Sequence, residues 1–261
     1  MKKRTRTKVL RQVNPAKKAE LRYRRELNKL IDSMFEIKAP TANNDASIRE
    51  EVLEMIDLLS NKLDNIDVIA DEVVSGVVDE SNRVNEYRFK QQMKREMGID
   101  VAKILENNKA VGSKVRKMRR ENIALVKTIP QRYLRSLEAI VDKHTLQGSE
   151  TSMIEDIQKL QNVTRNRAKF IARDQTSKFN NSLSQARQEA VGIQEYIWIT
   201  AKDERVRPTA ARRRQPSYSP KDPNHREKHG KTFRWDTPPD DTGHPGNDFN
   251  CRCVAKGVLN I

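Results

Sequence analysis

From Val52 the apolar residues recur at Ile56, Leu59, Leu63, Ile66, Val73 and Val77, stepping by four and three, with Ala70 in the intervening slot. That period puts them on one face of an α-helix, because residues three and four apart sit one above the other along it. The other faces carry Glu50, Glu51, Glu54, Asp57, Asp64, Asp67 and Asp71, so the segment reads as an amphipathic helix whose seam needs covering. Packing inside the chain's own bundle is the preferred cover, and a partner-binding coiled coil is the alternative. The Pro- and Asn-bearing "KAPTANND" reads as the loop before this helix, and Asp45 or Ser47 is the expected cap. Further helices are predicted over 83–96 and 99–126.

Beyond Asn122 an apolar run reaches Pro130, and a helix follows with Leu134, Leu137, Ile140 and Val141 on one face, closed by Gly148. Ser152 and Glu155 have the spacing of a capping box, so another helical stretch starts there, read as short helices ending at Gly192. In "IQEYIWITA" (193–201) the period drops to two and the residues become β-branched and aromatic, which predicts a strand. "DERVRP" turns the chain, and "KTFRWD" and "CRCVAKGVL" are further strand candidates on either side of the irregular "TPPDDTGHPGND". The expected class is α+β and mainly helical: long amphipathic helices, then a small mixed C-terminal domain.

Charge divides the 261 residues into blocks. The formal net charge of +15 resolves into +10 over 1–30, −7 over 31–110, +8 over 111–180 and +4 over 181–261. Three regions follow: a basic, flexible arm (1–44), an acidic-then-basic helical region (45–120) and a C-terminal domain (121–261). Dense positive charge neutralises phosphates by releasing their counterions. The candidate nucleic-acid contacts are therefore Lys2, Lys3, Arg4, Arg6, Lys8, Arg11, Lys17 and Lys18 in the arm, and Lys114, Arg116, Lys117, Arg119 and Arg120 in the basic run 113–120. A solvated tail, or one docked on an acidic partner, is the alternative. Aromatic residues are sparse in these stretches, so non-specific contact with double-stranded DNA is expected rather than stacking on single strands. No apolar run approaches the roughly 18 to 20 residues of a membrane span, and no hydrophobic segment follows the basic start, so no membrane partner is expected.

"NIALVKTIPQRYL", "TRNRAKFIARDQTSKFN", "YIWITAKDERVRP", "HREKHGKTFRW" and "HPGNDFNCRC" follow one another in an order and spacing that resembles the Mu F-like head-morphogenesis family of tailed phages. The resemblance covers about residues 121–261. It rests most on Trp198, Asp203, Arg205, Arg207, His229, Gly230, Pro245, Gly246, Asp248, Cys251 and Cys253, which it implies are structural. "TAARRRQPSYSPKD" (209–222) departs from the pattern as an insertion. The resemblance implies a structural virion protein inside the capsid near the portal vertex, present in the host cytoplasm during assembly. Its implied partners are the portal protein and the major capsid or scaffolding protein, with roles in packaging or ejection of DNA. A stand-alone DNA-binding protein is the competing reading.

The same residues raise a metal question. His225 and His229 are four apart, so a helical "HREKHG" would project both imidazoles from one face, and Cys251 and Cys253 would complete a tetrahedral structural zinc site, with His244 as a substitute ligand. Separate packing of these side chains remains the alternative, because Cys-x-Cys on a strand has no loop to shape the chelate. The thiols are expected to be reduced, since so short a spacing strains a disulfide. Asp203, Arg205 and Arg207 alternate, which on an extended segment sets both guanidinium groups on one face and leaves Asp203 to cap or pair locally. No nucleophile motif, phosphate-cradling loop or carboxylate cluster accompanies Asp203 and His229, so the chain is expected not to be an enzyme.

Overall fold

The computed structural model describes residues 7–11, 13–15, 17–35, 45–106, 108–146, 152–215 and 223–260. Among them the chain runs β1 (Thr7–Val9), α1 (Lys17–Phe35), α2 (Asp45–Leu63), α3 (Ile66–Met97), α4 (Ala102–Glu106), α5 (Lys109–Leu146), α6 (Met153–Ala190), β2 (Glu195–Ile199), α7 (Ala210–Arg213), β3 (Thr232–Arg234) and β4 (Val254–Asn260). The mainly helical α+β class is what the structure has.

The helices are fewer and longer than the sequence suggests. The stripe from Val52 to Val77 is buried at Val52, Ile56, Leu59, Ile66, Ala70, Val73 and Val77, as bundle packing requires, but a turn at Asp64–Asn65 divides it between α2 and α3. The heptad-like step survives the turn, so periodicity alone does not reveal the break. Conversely, α5 runs unbroken through Pro130. A proline removes one backbone donor and crowds the preceding turn, yet a long helix with buried flanks at Val126, Ile129, Tyr133 and Leu137 absorbs the loss. The expected short helices after Ser152 are one helix of 38 residues, α6, opened by the Glu155 backbone N–H donating to Ser152 Oγ at 3.1 Å. The expected closure at Gly148 and most of the "KAPTANND" loop lie outside the described residues.

The chain separates into two compact units. One comprises Met1–Ala19, Val78–Met118 and Asp174–Ile261; the other comprises Glu20–Val77 and Arg119–Arg173. In the second unit, Tyr23 is fully buried and donates its hydroxyl to Asn122 Oδ1 at 3.0 Å, while Arg165 pairs with Asp32 at 2.7 Å and lies over the Phe35 ring. Within the 1–44 stretch read as a flexible arm, residues 17–35 form a packed helix. Ala19, Tyr23, Leu27, Leu30, Ile31 and Met34 are buried on one face of α1, and the charged residues of 17–35 occupy its other faces.

The first unit holds an antiparallel sheet in the order β1-β4-β2-β3. The three strands predicted in the C-terminal region are present, and the N-terminal Thr7–Val9 adds a fourth by pairing with Val258–Asn260. Leu10, the next residue, enters a core cluster with Phe89, Met93, Val101, Leu105 and Ile193. Along β2 the alternation puts Tyr196 and Trp198 on the buried face, where they meet Trp235, Cys251, Cys253 and Ala255. At the C-terminal half of α6, Arg187 is fully buried and donates to Asn85 Oδ1 at 2.7 Å and to Asn82 Oδ1 at 2.5 Å. Asn85 in turn donates to Asn180 Oδ1 and Ser184 Oγ at 3.0 and 2.9 Å, so α3 and α6 are joined by a polar seam.

Candidate metal centre

Trp198, Cys251 and Cys253 meet on the buried face of the sheet. β2 delivers Trp198 to the core, and the chain then turns through 200–208, where Asp203 Oδ1 accepts the Arg205 backbone N–H at 3.0 Å. Asp203, Arg205 and Arg207 therefore do not alternate along an extended segment. The backbone bends, and their side chains part: Asp203 pairs with Arg252, Arg205 is exposed, and Arg207 reaches Asp248 and the Phe249 carbonyl. Two ion pairs thus tie the 200–208 turn to the 248–252 segment.

"HREKHG" is a series of turns, not an α-helix, so His225 and His229 do not share a helical face. His229 Nδ1 lies 3.1 Å from both Thr200 N and Thr200 Oγ1. Gly230, at φ +80°, ends the turns against β2 by donating its N–H to the Trp198 carbonyl at 2.8 Å. His244 is likewise engaged elsewhere: its Nδ1 is 3.0 Å from the Tyr196 hydroxyl, and burial lowers its pKa. Of the candidate ligands, His225, Cys251 and Cys253 come together, and His229 and His244 stand apart from them.

These three are all buried, at 2%, 6% and 3% exposure. His225 Nδ1 is 3.5 Å from each sulfur, and its Nε2 is 3.0 Å from Asp248 Oδ2. Burial alone would lower the His225 pKa, but Asp248 and Cys251 outweigh it and raise it to about 9. Burial likewise works against the Asp248 carboxylate, yet His225 and Arg207 hold its pKa well below the usual range. The hydrogen bond from Cys253, helped by His225, lowers Cys251 to about 5, and the same bond, together with burial, pushes Cys253 up.

Sequence reasoning missed how this cluster is supported. From α6, Ser177 Oγ donates to the Cys251 carbonyl at 2.9 Å, Asn181 Nδ2 donates to the Cys253 carbonyl at 3.1 Å, and Asp174 Oδ1 accepts the Asn250 N–H at 2.6 Å. The polar residues of "RDQTSKFNN" are spaced three and four apart, so the signal was present as one polar face, on a helix longer than the short pieces read there. Pro245 and Gly246 are buried, Gly246 beside Asn181, and Gly246 N donates to Cys251 Sγ at 3.4 Å. A cavity of about 250 Å³, with Arg205, Arg207, Thr209 and Arg252 in its wall, opens onto His225, Cys251 and Cys253.

The basic candidates fall in different settings. Lys8 Nζ donates to the Glu96 carbonyl at 2.9 Å near the end of α3, and Arg11 lies 3.4 Å from the Glu96 carboxylate. Lys17 and Lys18 are exposed at the start of α1, as are Arg116, Lys117 and Arg120 on α5, whereas Lys114 and Arg119 are half-buried. Lys2, Lys3, Arg4 and Arg6 lie outside the described residues, as does half of the insertion, 216–222. No helix among the described residues is long and apolar enough to cross a membrane.

Comparison with known families gives a match to the family described as Phage Mu protein F like protein, over residues 143–223 and 218–256. A protein of Haemophilus influenzae, described only as uncharacterized, is 38% identical over 192 residues, which is 73% of this chain and 40% of the relative. The chain thus spans about two-fifths of that relative's length. No solved structure matches.

Proposed function

We propose that this chain, which matches the phage Mu F-like family over residues 143–256, is a minor head component that works at the portal vertex and touches packaged DNA. The family match supports a role in phage head morphogenesis and a place in the virion; the portal, the DNA contact and a non-enzymatic role are the further parts of the proposal. The observation that carries the reading is the family match itself. The geometry supports a structural role within it, because Asp203, Arg207, His229 and Asp248 use their polar groups to hold turns together. The exposed Arg116, Lys117 and Arg120 support contact with phosphate, and the portal and the major capsid or scaffolding protein are the proposed protein partners.

Quantitative mass spectrometry of purified virions, with the portal protein as internal standard, tests the proposal. The expected result is a few copies per portal ring. Absence from both mature particles and procapsids would overturn it and favour a DNA-binding protein that acts outside the particle.

A further inference from the structure

The turns at 225–230 and the Cys-Arg-Cys before β4 are far apart in sequence, yet they bring three donors to one point. A tetrahedral zinc, with bonds of about 2.3 Å to sulfur and about 2.0–2.1 Å to nitrogen, holds those two atoms roughly 3.5 Å apart. His225 Nδ1 is 3.5 Å from Cys251 Sγ and 3.5 Å from Cys253 Sγ, and all three donor atoms lie within 4.8 Å of one another. One ring nitrogen has a single in-plane direction for a hydrogen bond, so it serves one sulfur well and not two. An ion between the three donors satisfies both.

We propose that His225 Nδ1, Cys251 Sγ and Cys253 Sγ bind a zinc ion, with water as the fourth ligand on the side of the adjoining cavity. The surroundings of each donor favour this arrangement. Asp248 accepts the His225 Nε2–H at 3.0 Å, which leaves Nδ1 bare and aimed at the sulfurs, and Arg207 holds Asp248 in turn. A carboxylate on the far nitrogen of a ligating histidine is the usual means of orienting the ring. The Gly246 N–H points at the Cys251 sulfur. The Trp198 indole N–H is buried and, among the described residues, finds no hydrogen-bond partner. The objection that Cys-x-Cys lacks a shaping loop does not apply here: both cysteines precede β4, Asn250 takes φ +55°, and α6 fixes the carbonyls of Cys251 and Cys253.

The fourth position follows from the cavity of about 250 Å³ that reaches all three ligands. It has room for a water, and among the described residues no fourth His, Cys, Asp or Glu joins the cluster. His229 is left out, since its Nδ1 faces Thr200.

The full chain, purified with a thiol-free reductant, stripped with chelator, reloaded with zinc and desalted, should retain one zinc per chain by elemental analysis. Cobalt in place of zinc should give thiolate-to-metal charge-transfer bands and the intense visible bands of a four-coordinate ion. In competition with a chromophoric chelator, Cys251→Ser and Cys253→Ser should each weaken zinc binding by more than about 100-fold, and Asp248→Asn by about 10- to 100-fold. His229→Ala should leave affinity unchanged. If the cysteine variants fail to fold, the native cobalt spectrum and the contrast between Asp248→Asn and His229→Ala still decide. Folded, fully reduced protein that retains no zinc and gives no cobalt–thiolate bands would overturn the proposal, as would equal losses for His225→Ala and His229→Ala. None of these measurements depends on the particle, so the zinc site and the minor-head reading stand or fall separately.

Discussion

Asp241 shows how single charges hold the irregular 236–250 loop in place. Its carboxylate accepts from Lys228 Nζ at 2.5 Å and from the Asn224 N–H at 3.2 Å. Burial raises its pKa, but these two donors outweigh burial, and the net shift is downward. A carboxyl whose pKa is lower in the folded than in the unfolded state adds stability that is fully present above its unfolded value, near 4, and is lost as pH falls through the folded value. Asp241→Asn should therefore cost about 1 kcal/mol at pH 7, a figure discounted for partial exposure, and the difference from the parent should shrink as pH falls below about 4. Chemical denaturation of both proteins at several pH values measures this, and a difference independent of pH would rule out the charge as its source. Neither Lys228 nor Asp241 stands out in the sequence, because each is an ordinary charged residue until the turns bring them together. The sequence singled out the two cysteines and His225, which the fold brings together. The exclusion of His229 was not legible, because it depended on a helix that the segment does not form.

At the scale of elements, the sequence showed where each pattern began better than where it ended. The strands at 195–199, 232–234 and 254–260 were visible because alternation and β-branching coincide there, and the Ser152 cap marked the start of α6. Helix boundaries were misread at Pro130, which α5 passes through, and at Asp64–Asn65, where a turn leaves the apolar step intact. Glycines 112 and 246 separate two meanings of glycine. Gly112 lies within α5, and a methyl group there would meet only the Arg116 side chain at 3.5 Å, an ordinary contact. Gly112→Ala should stabilise by about 0.5–1 kcal/mol, because alanine gives up less freedom on entering a helix. Gly246 has φ +88°, and an added Cβ would lie 2.4 Å from Asn181 Nδ2, the atom that donates to the Cys253 carbonyl. Gly246→Ala should therefore destabilise by about 1–3 kcal/mol and disturb the Cys-Arg-Cys backbone. Thermal unfolding of the two variants should show shifts of opposite sign, and a stable Gly246→Ala protein would mean that α6 does not fix that backbone.

For the whole molecule, the net charge of +15 indicated basic character without locating it on the folded surface. Part of the N-terminal charge is taken up internally, as Lys8 and Arg11 engage Glu96, and α1 buries the apolar residues that lie among its charges. The middle block differs. Arg116 and Arg120 are four apart on α5, Lys117 and Arg120 are three apart, and all three are exposed, so these cations share one side of a helix. If that side meets duplex phosphate, binding should weaken linearly in a log–log plot against salt, with a slope of about −0.9 per phosphate neutralised. Replacing Arg116, Lys117 and Arg120 with glutamine should lower the slope by up to about 3 without introducing sequence preference. Titration of random-sequence duplexes by fluorescence anisotropy at several salt concentrations gives both quantities. A slope unchanged by the triple substitution would move the DNA contact off α5, and weak binding with no salt dependence would remove phosphate neutralisation from the account. Charge that serves a docking partner instead would show the same exposure but no slope, which is why the salt series distinguishes the two.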